Sequence, residues 1–173
     1  MESVRVQLSG NRLKAYGRIV SAHTDTAPAF SASYDLVTDE SGATKRLSMT
    51  VTLAERERQL SIARDDENMW LVQSQTGQTS RLTFDGALDV DVVFSPFFNA
   101  LPIRRTALHR RIDSLILPVV YVWLPELEVK PATLSYSSEG DGVINLQSPV
   151  ANTPLSVDDD GFIVEYPGLA ERI

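Results

Sequence analysis

The stretch Leu47-Ser-Met-Thr-Val-Thr-Leu53 is the clearest strand pattern in the sequence. Its apolar residues alternate with three hydroxyl-bearing residues, so an extended chain would place the apolar side chains on one face and the hydroxyls on the other. This alternation is typical of a strand that packs one face against a core and exposes the other to water. It predicts an antiparallel β protein.

The same alternation recurs along most of the chain, and turn residues such as Asp65-Asp-Glu-Asn68 and Asp85-Gly86 separate the runs. Short strands joined by turns at intervals of roughly 8 to 12 residues are typical of a β-sandwich or barrel. We therefore predict an all-β, mainly antiparallel fold, a curled sheet or partly open barrel of about a dozen short strands. The other predicted strands span residues 4–8, 13–22, 30–36, 57–64, 69–73, 81–84, 90–94, 119–124, 133–137, 143–147, 155–157 and 162–166.

Helix is predicted only between residues 103 and 114. Leu101, Leu108 and Ile112 are spaced so that they could share one helical face, but proline and β-branched neighbours lower the helix propensity there. We expect one or two short helical turns in this segment.

Size and charge limit the classes of function. The 173 residues contain no Gly/Ser linker or low-complexity tract, which predicts a single domain over residues 1–173. The 23 Asp and Glu residues outnumber the 16 Lys and Arg residues and give a formal net charge of −7, which repels phosphate backbones. We expect no nucleic-acid partner.

Neither export nor membrane insertion is predicted. The first residues, Met1 to Arg5, lack a basic segment followed by an apolar one, so we expect no secretory signal. The longest apolar run, residues 115–125, is interrupted by Pro118 and is shorter than the roughly 20 residues that span a bilayer. Cysteine is absent, which suits a reducing compartment, and we expect a cytoplasmic protein.

No motif indicates catalysis, a cofactor or a metal. The sequence has no nucleophile elbow, Walker loop or dinucleotide fingerprint, so we predict neither an enzyme nor a cofactor. His23 and His109 lie far apart without ligand neighbours at metal-binding spacing, and we interpret both as solvated loop histidines. Asp158-Asp-Asp-Gly161 lacks the alternating ligands of a calcium loop and is predicted to be a hairpin turn.

Asp89 and Asp91 project from one face of a predicted strand, opposite Val90 and Val92. Paired carboxylates can catalyse proton transfer, which keeps an unrecognised hydrolase or isomerase as a third-ranked hypothesis. We favour the interpretation that this face is solvent-exposed and that the aspartates are the polar side of an amphipathic strand.

One segment reverses the acidic character of the chain, because four arginines fall within eight residues. Guanidinium groups suit the phosphate, sulfate or carboxylate of an anionic headgroup, so this cluster is a candidate ligand site. The alternative is a solvated surface in which the arginines pair with acids such as Asp113. The four residues are Arg104, Arg105, Arg110 and Arg111.

Residues 115–125 are apolar on both faces, which is typical of a fully buried strand. Alternatively, one face lines a cavity, since a barrel of many strands can enclose more volume than its side chains fill. The same two interpretations, packed core or ligand contact, apply to Trp70 and Trp123.

Three segments of the C-terminal half resemble the bacterial putative glycolipid-binding family in order and spacing, and the N-terminal half is similar in being strand-rich. Two places depart from the family pattern. Ser95-Pro-Phe-Phe-Asn-Ala100 stands where members usually have Thr-Pro-x-Thr-Asn-Thr, and Ala170 stands where they usually have Trp. The three segments are Asp89-Val-Asp-Val with Ser95-Pro96, Asn99-Ala-Leu-Pro-Ile-Arg-Arg105, and Val157 to Gly161 leading to Tyr166-Pro-Gly-Leu-Ala-Glu-Arg172.

The resemblance implies a β-rich domain similar to the open barrels of bacterial lipoprotein carriers, whose concave face holds acyl chains. On this first hypothesis the protein binds a glycolipid or similar amphiphile without catalysis, with the tail in an apolar interior and the headgroup at a polar rim. The candidate ligand-binding residues are Asn99, Arg104, Arg105, Tyr166 and Arg172.

The second hypothesis is a protein-interaction or purely structural β domain with no small-molecule ligand. It predicts that Arg104 or Arg105 is buried against carboxylates and locks the fold. A continuous apolar pocket beside these two arginines would favour the first hypothesis instead.

Overall fold

The computed structural model describes all residues from 1 to 173, and it confirms the all-β fold. Fourteen strands form two seven-stranded sheets, in which neighbouring strands follow the order of the sequence. One sheet is curled into a half-barrel. The first sheet contains β1 (Glu2–Ser9), β2 (Arg12–Ser21), β3 (Phe30–Thr38), β4 (Thr44–Thr52), β5 (Glu57–Arg64), β6 (Trp70–Gln73) and β7 (Thr79–Leu82). The second sheet contains β8 (Asp89–Val92), β9 (Asp113–Trp123), β10 (Glu128–Ser138), β11 (Val143–Gln147), β12 (Asn152–Val157), β13 (Ile163–Tyr166) and β14 (Ala170–Glu171).

The helical residues are few and lie mainly between β8 and β9. The single α-helix, α1, spans Ala100–Arg105, and 3-10 turns span Phe84–Gly86, Pro96–Asn99 and Leu108–Arg110. The prediction of one or two short helical turns is confirmed. The prediction that Leu101, Leu108 and Ile112 share a buried helical face is wrong for Ile112. The backbone becomes extended at Arg111, and Ile112 is 79% exposed.

Each predicted strand is present, with ends that differ by several residues in the longest cases. Strands β5 and β11 have the predicted bounds, whereas β9 begins earlier, at Asp113. The prediction omitted β14, because two residues are too short to show a period.

All neighbouring strands pair antiparallel except β8 and β9, which run parallel. The parallel register places Asp89 beside Val119 and Asp91 beside Tyr121. Since directly paired residues share a face of the sheet, both aspartates lie on the face that carries Val119 and Tyr121. The segment from Val93 to Ile112 makes the crossover between the two strands.

The core has two hydrophobic clusters, one on each face of the second sheet. The first has 24 buried residues from both sheets, including Val90 and Val92 of β8. The second has 11 buried residues on the opposite face of the second sheet, where Ile103 and Leu108 of the crossover cover it. The centre of the second sheet is therefore buried on both sides.

This packing corrects the interpretation of Asp89 and Asp91, which are only 1% and 7% exposed. The expectation of a solvent-exposed polar face was wrong because the crossover that carries α1 covers that face of β8. The alternation of polar and apolar residues in β8 therefore separates two buried environments.

Only part of the apolar run at residues 115–125 is buried on both faces, as predicted for the whole run. Val119 to Val122 are buried, but Ile116 is 74% exposed, since β9 extends beyond the start of β8. Trp70 is completely buried and donates from Nε1 to the carbonyl of Ala87 at 2.9 Å, as expected of a core anchor.

Candidate functional site

A small groove opens where α1 and the 3-10 turn after it meet the turns of both sheets. Its volume is about 150 Å³, and Asn11 of the β1–β2 turn, Gly42 of the β3–β4 turn and Asp160 of the β12–β13 turn contribute to its walls. We call this the arginine groove, because its other charged or titratable lining residues are Arg104, Arg105, His109 and Arg110.

Arg105 is locked to a buried carboxylate. Its Nη2 lies 2.6 Å from Oδ2 of Asp89 and its Nε lies 3.2 Å from Oδ1, which is a two-pronged arginine–carboxylate pair. Burial raises the pKa of Asp89 above its ordinary value, and the hydrogen bonds and charge of Arg105 oppose that rise. Arg105 therefore anchors α1 to β8, as the second hypothesis expects of one of the two arginines.

Arg104 has no carboxylate within ion-pair distance. Its guanidinium carbon lies 4.3 Å from the centre of the Phe162 ring, and its Nη1 donates to the carbonyl of Asp160. Burial lowers the pKa of Arg104, and the more distant Asp160 and Asp158 partly offset this. Nε and Nη2 of Arg104 have no protein acceptor.

Arg110 is also unpaired with any carboxylate. Its Nε donates to Nε2 of His109 at 3.1 Å, and its two terminal amino groups have no protein acceptor. This bond requires His109 Nε2 to be unprotonated. Burial lowers the pKa of His109, and the positive charges of the nearby Arg110 and Arg104 lower it further. The solvated-loop interpretation of His109 missed this role, because the contact depends on how the 3-10 turn orients two adjacent side chains.

The β12–β13 turn closes one side of the arginine groove. Asp158 Oδ1 accepts a bond from the backbone N–H of Phe162 at 2.9 Å, and Gly161 has a positive φ of +80°, so the predicted hairpin turn is confirmed. A Cβ atom on Gly161 would lie 2.8 Å from Nδ1 of His109 and 3.0 Å from Cγ of Arg104. A side chain at this position would push against both groove residues.

The structure brings together only part of the predicted ligand set. Arg104 and Arg105 line one groove, and Arg172 is bound to Asp158 of the neighbouring turn at 2.6 Å. Asn99 is buried and accepts a 2.9 Å hydrogen bond from the hydroxyl of Tyr136, and Tyr166 is buried in the second hydrophobic cluster. Asn99 and Tyr166 therefore lie inside the protein, away from the groove lining.

Asp91 lies in that same interior beside three tyrosines. Its Oδ1 is buried with no hydrogen-bond partner, and burial raises the pKa of Asp91 to about 7, with a further contribution from the charge of Asp89. Burial raises the pKa values of the neighbouring phenols, and the negative charge of Asp91 raises them further. This carboxyl is enclosed and does not line the arginine groove. The three phenols are those of Tyr121, Tyr136 and Tyr166.

The concavity beside Arg104 and Arg105 is not the continuous apolar pocket that would favour the first hypothesis. The groove there is small and mostly polar, with three hydrophobic residues among its eleven lining residues. The two hydrophobic clusters fill the interior with side chains such as Trp70 and Phe98, both fully buried. Of the two interpretations that the sequence left open, the packed core is therefore the one observed, and Ile103 and Leu108 of the crossover cover one face of the second sheet.

A second concavity lies on the outward face of the first sheet, with a volume of about 560 Å³. Its floor carries small hydroxyl side chains from adjacent strands, which alternate with the buried residues of the first cluster. It is therefore on the face opposite the core and is separate from the arginine groove. The floor residues are Ser33, Ser48, Thr50 and Ser61.

No group of three or more His, Cys, Asp or Glu side chains is arranged to hold a metal ion. None of the helices has the length and the apolar character needed to cross a bilayer.

The fold and the groove define a β-rich domain with a cationic surface site. The family model described as "Putative glycolipid-binding" matches residues 1–172, and the chain belongs to this family. A solved structure, that of a DUF1089 family protein from Pseudomonas aeruginosa, is 23% identical, with a TM-score of 0.80 over 99% of this chain and 92% of that one. At this identity the likeness shows the fold alone. No curated protein matches the sequence.

Proposed function

We propose that this protein is a non-enzymatic binding domain that holds the polar headgroup of a glycolipid or related amphiphile in the arginine groove. The observation that carries the proposal is the presence of two guanidinium groups without carboxylate partners in one groove of a chain with net charge −7. Cations left unpaired in an acidic protein are available to a ligand. The name of the family indicates the same class of ligand.

The packed interior changes how such a ligand would be held. The carriers that the sequence resembles enclose acyl chains, whereas here the hydrophobic clusters fill the space between and within the sheets. The headgroup therefore supplies the specific contacts, and the tail stays outside the protein core.

Binding is better supported than catalysis. Of the two buried carboxylates, Asp89 is neutralised by Arg105 and Asp91 is enclosed, so neither faces a ligand in the groove. The groove histidine, His109, uses Nε2 to accept a bond from Arg110 and has no carboxylate partner. These contacts position side chains and leave no general base open to a substrate.

The alternative hypothesis, in which the arginines are buried against carboxylates and lock the fold, fits only one of the groove arginines. The Arg105–Asp89 pair has the geometry of a fold-locking contact, whereas Arg104 and Arg110 have no carboxylate to lock against. We therefore assign Arg105 to the fold and the other two arginines to the ligand.

The proposal is tested by native mass spectrometry of freshly purified protein and by calorimetric titration with a panel of short-chain glycolipids. We expect a bound amphiphile and saturable binding, weakened in Arg104→Gln. Arg18→Gln, which removes an exposed and unpaired arginine of β2 outside the groove, is the matched control and should bind normally. The absence of a bound lipid together with flat titrations across the panel would contradict the proposal.

A further inference from the structure

We infer that the arginine groove is a site for a phosphate-type group, held by Arg104 and Arg110. This inference rests on the proposed headgroup site and names the chemical class of the group that binds there. The group is a tetrahedral oxyanion, such as the phosphate monoester of a headgroup or a free phosphate.

The free hydrogen-bond donors support a tetrahedral anion. Arg110 uses only Nε in its bond to His109, and Arg104 uses only Nη1 in its bond to the carbonyl of Asp160. The remaining N–H groups belong to two different elements, α1 and the 3-10 turn Leu108–Arg110. A carboxylate presents two oxygens in one plane, whereas a phosphate presents three terminal oxygens that can accept bonds from both guanidinium groups.

His109 helps to fix this arrangement. Its neutral imidazole accepts the Nε–H of Arg110, which restrains the guanidinium and leaves both terminal amino groups for the ligand. Its own position is set by the β12–β13 turn, where Gly161 packs against the imidazole. The donors are therefore held by the fold before a ligand arrives, which lowers the entropy cost of binding.

The size of the groove favours a single small group. Pockets that enclose a whole drug-sized ligand measure roughly 300 to 1,000 Å³, and this groove measures about 150 Å³. A phosphate-sized group fits such a space, while the rest of a headgroup would project out of it.

The local charge favours an anion. Arg105 is neutralised by Asp89 and the pKa of His109 is lowered, so the free charges are those of Arg104 and Arg110 against the single carboxylate of Asp160. A phosphate monoester carries between one and two negative charges near pH 7 and gains most from this field. The carboxylate of Asp160 repels the anion, so removing its charge should strengthen binding, whereas removing either arginine should weaken it.

The test is calorimetric titration of the whole chain with inorganic phosphate and with acetate. We expect phosphate to bind, acetate to bind at least about tenfold more weakly, and Arg104→Gln or Arg110→Gln each to weaken phosphate binding about tenfold or more. Asp160→Asn should strengthen phosphate binding, and Arg18→Gln should leave it unchanged. Far-ultraviolet circular dichroism confirms that each variant is folded.

A second experiment, with lipid vesicles, distinguishes the phosphate of a lipid headgroup from free phosphate. Binding to phosphatidylcholine vesicles only when they contain phosphatidic acid, with loss in Arg110→Gln, supports a lipid headgroup. Binding of inorganic phosphate without any vesicle or glycolipid binding supports the phosphate site and contradicts the proposed amphiphile function.

Two results would overturn the inference. One is phosphate binding that Arg104→Gln and Arg110→Gln leave unchanged. The other is glycolipid binding that is equally tight with and without a phosphate group on the ligand, which leaves the proposed function in place and removes the phosphate site.

Discussion

At the scale of single residues, the partner of a side chain decides its role. Arg104, Arg105 and Arg110 are close in sequence and line one groove, yet Arg105 is paired with a buried carboxylate and the other two are free. The sequence located this arginine cluster by its contrast with the net charge. It did not distinguish the three arginines, because Arg105 and Arg104 find their partners in β8 and in the β12–β13 turn, which are distant in sequence.

Asp91 gives a prediction about pH. Its pKa in the folded protein is about 7 against 3.8 as the ordinary value, so its stabilising contribution is complete at low pH and is lost as the pH rises towards 7. Between about pH 5 and about pH 8 this group should remove on the order of 2 to 3 kcal/mol from the free energy of unfolding.

Asp91→Asn removes this ionisation while keeping the shape of the side chain. Urea unfolding across the same pH range should therefore show a flatter profile for the variant than for the wild type. Parallel profiles for the two proteins would show that the carboxyl does not titrate in this range.

Gly17 gives a prediction about packing. A Cβ atom on this residue would lie 2.0 Å from Cζ of Tyr34, whose hydroxyl is bonded to Glu2 at 2.8 Å and whose ring packs 5.1 Å from that of Phe98. Because the ring is fixed on two sides, Gly17→Ala should destabilise the protein by at least about 1 to 3 kcal/mol.

The measurement is chemical unfolding of Gly17→Ala in the wild-type and Tyr34→Ala backgrounds. The smaller side chain at position 34 should abolish most of the cost, which is the coupling expected of residues in contact. An equal cost in both backgrounds would exclude Tyr34 as the cause.

At the scale of elements, the sequence predicted the central strands of the first sheet well because β2, β3 and β4 each have one face on a core and the other towards water. Strand β2, for example, alternates buried and exposed residues along most of its length. The faces of β8 were misjudged because the polar side of that strand is covered by α1, which follows it along the chain and folds back over it. The sequence of β8 alone does not indicate that α1 covers its polar face.

The contact between α1 and β8 gives a prediction at this scale. Arg105→Met should destabilise the protein by about 3 to 5 kcal/mol, since it leaves the buried carboxylate of Asp89 without its partner. Arg111→Met is the matched control, because its pair with Asp113 is exposed and should be worth about 0 to 1 kcal/mol.

Adding Asp89→Asn to the Arg105→Met variant should recover part of the loss, because the buried charge is then removed as well. Denaturant unfolding of the four proteins measures these differences. Equal small losses in Arg105→Met and Arg111→Met would show that the buried pair does not hold α1 to the sheet.

At the scale of the whole molecule, the sequence left open whether the apolar interior is packed or hollow. That outcome depends on how closely the two sheets approach and on what fills the curl, and neither is a local property of the chain. In the structure, the first cluster joins the sheets and the second is covered by the crossover residues Ile103 and Leu108. This packing supports the proposal that a headgroup is contacted at the surface of the protein and not in its interior.

The most direct measurement of this account is the affinity for a series of glycolipids with one headgroup and acyl chains of increasing length, taken below the concentration at which they aggregate. If the interior stays packed and the arginine groove holds the headgroup, the affinity should not change with chain length. A steady gain approaching about 0.8 kcal/mol for each added methylene would contradict the account, because it would show that the protein buries the tail.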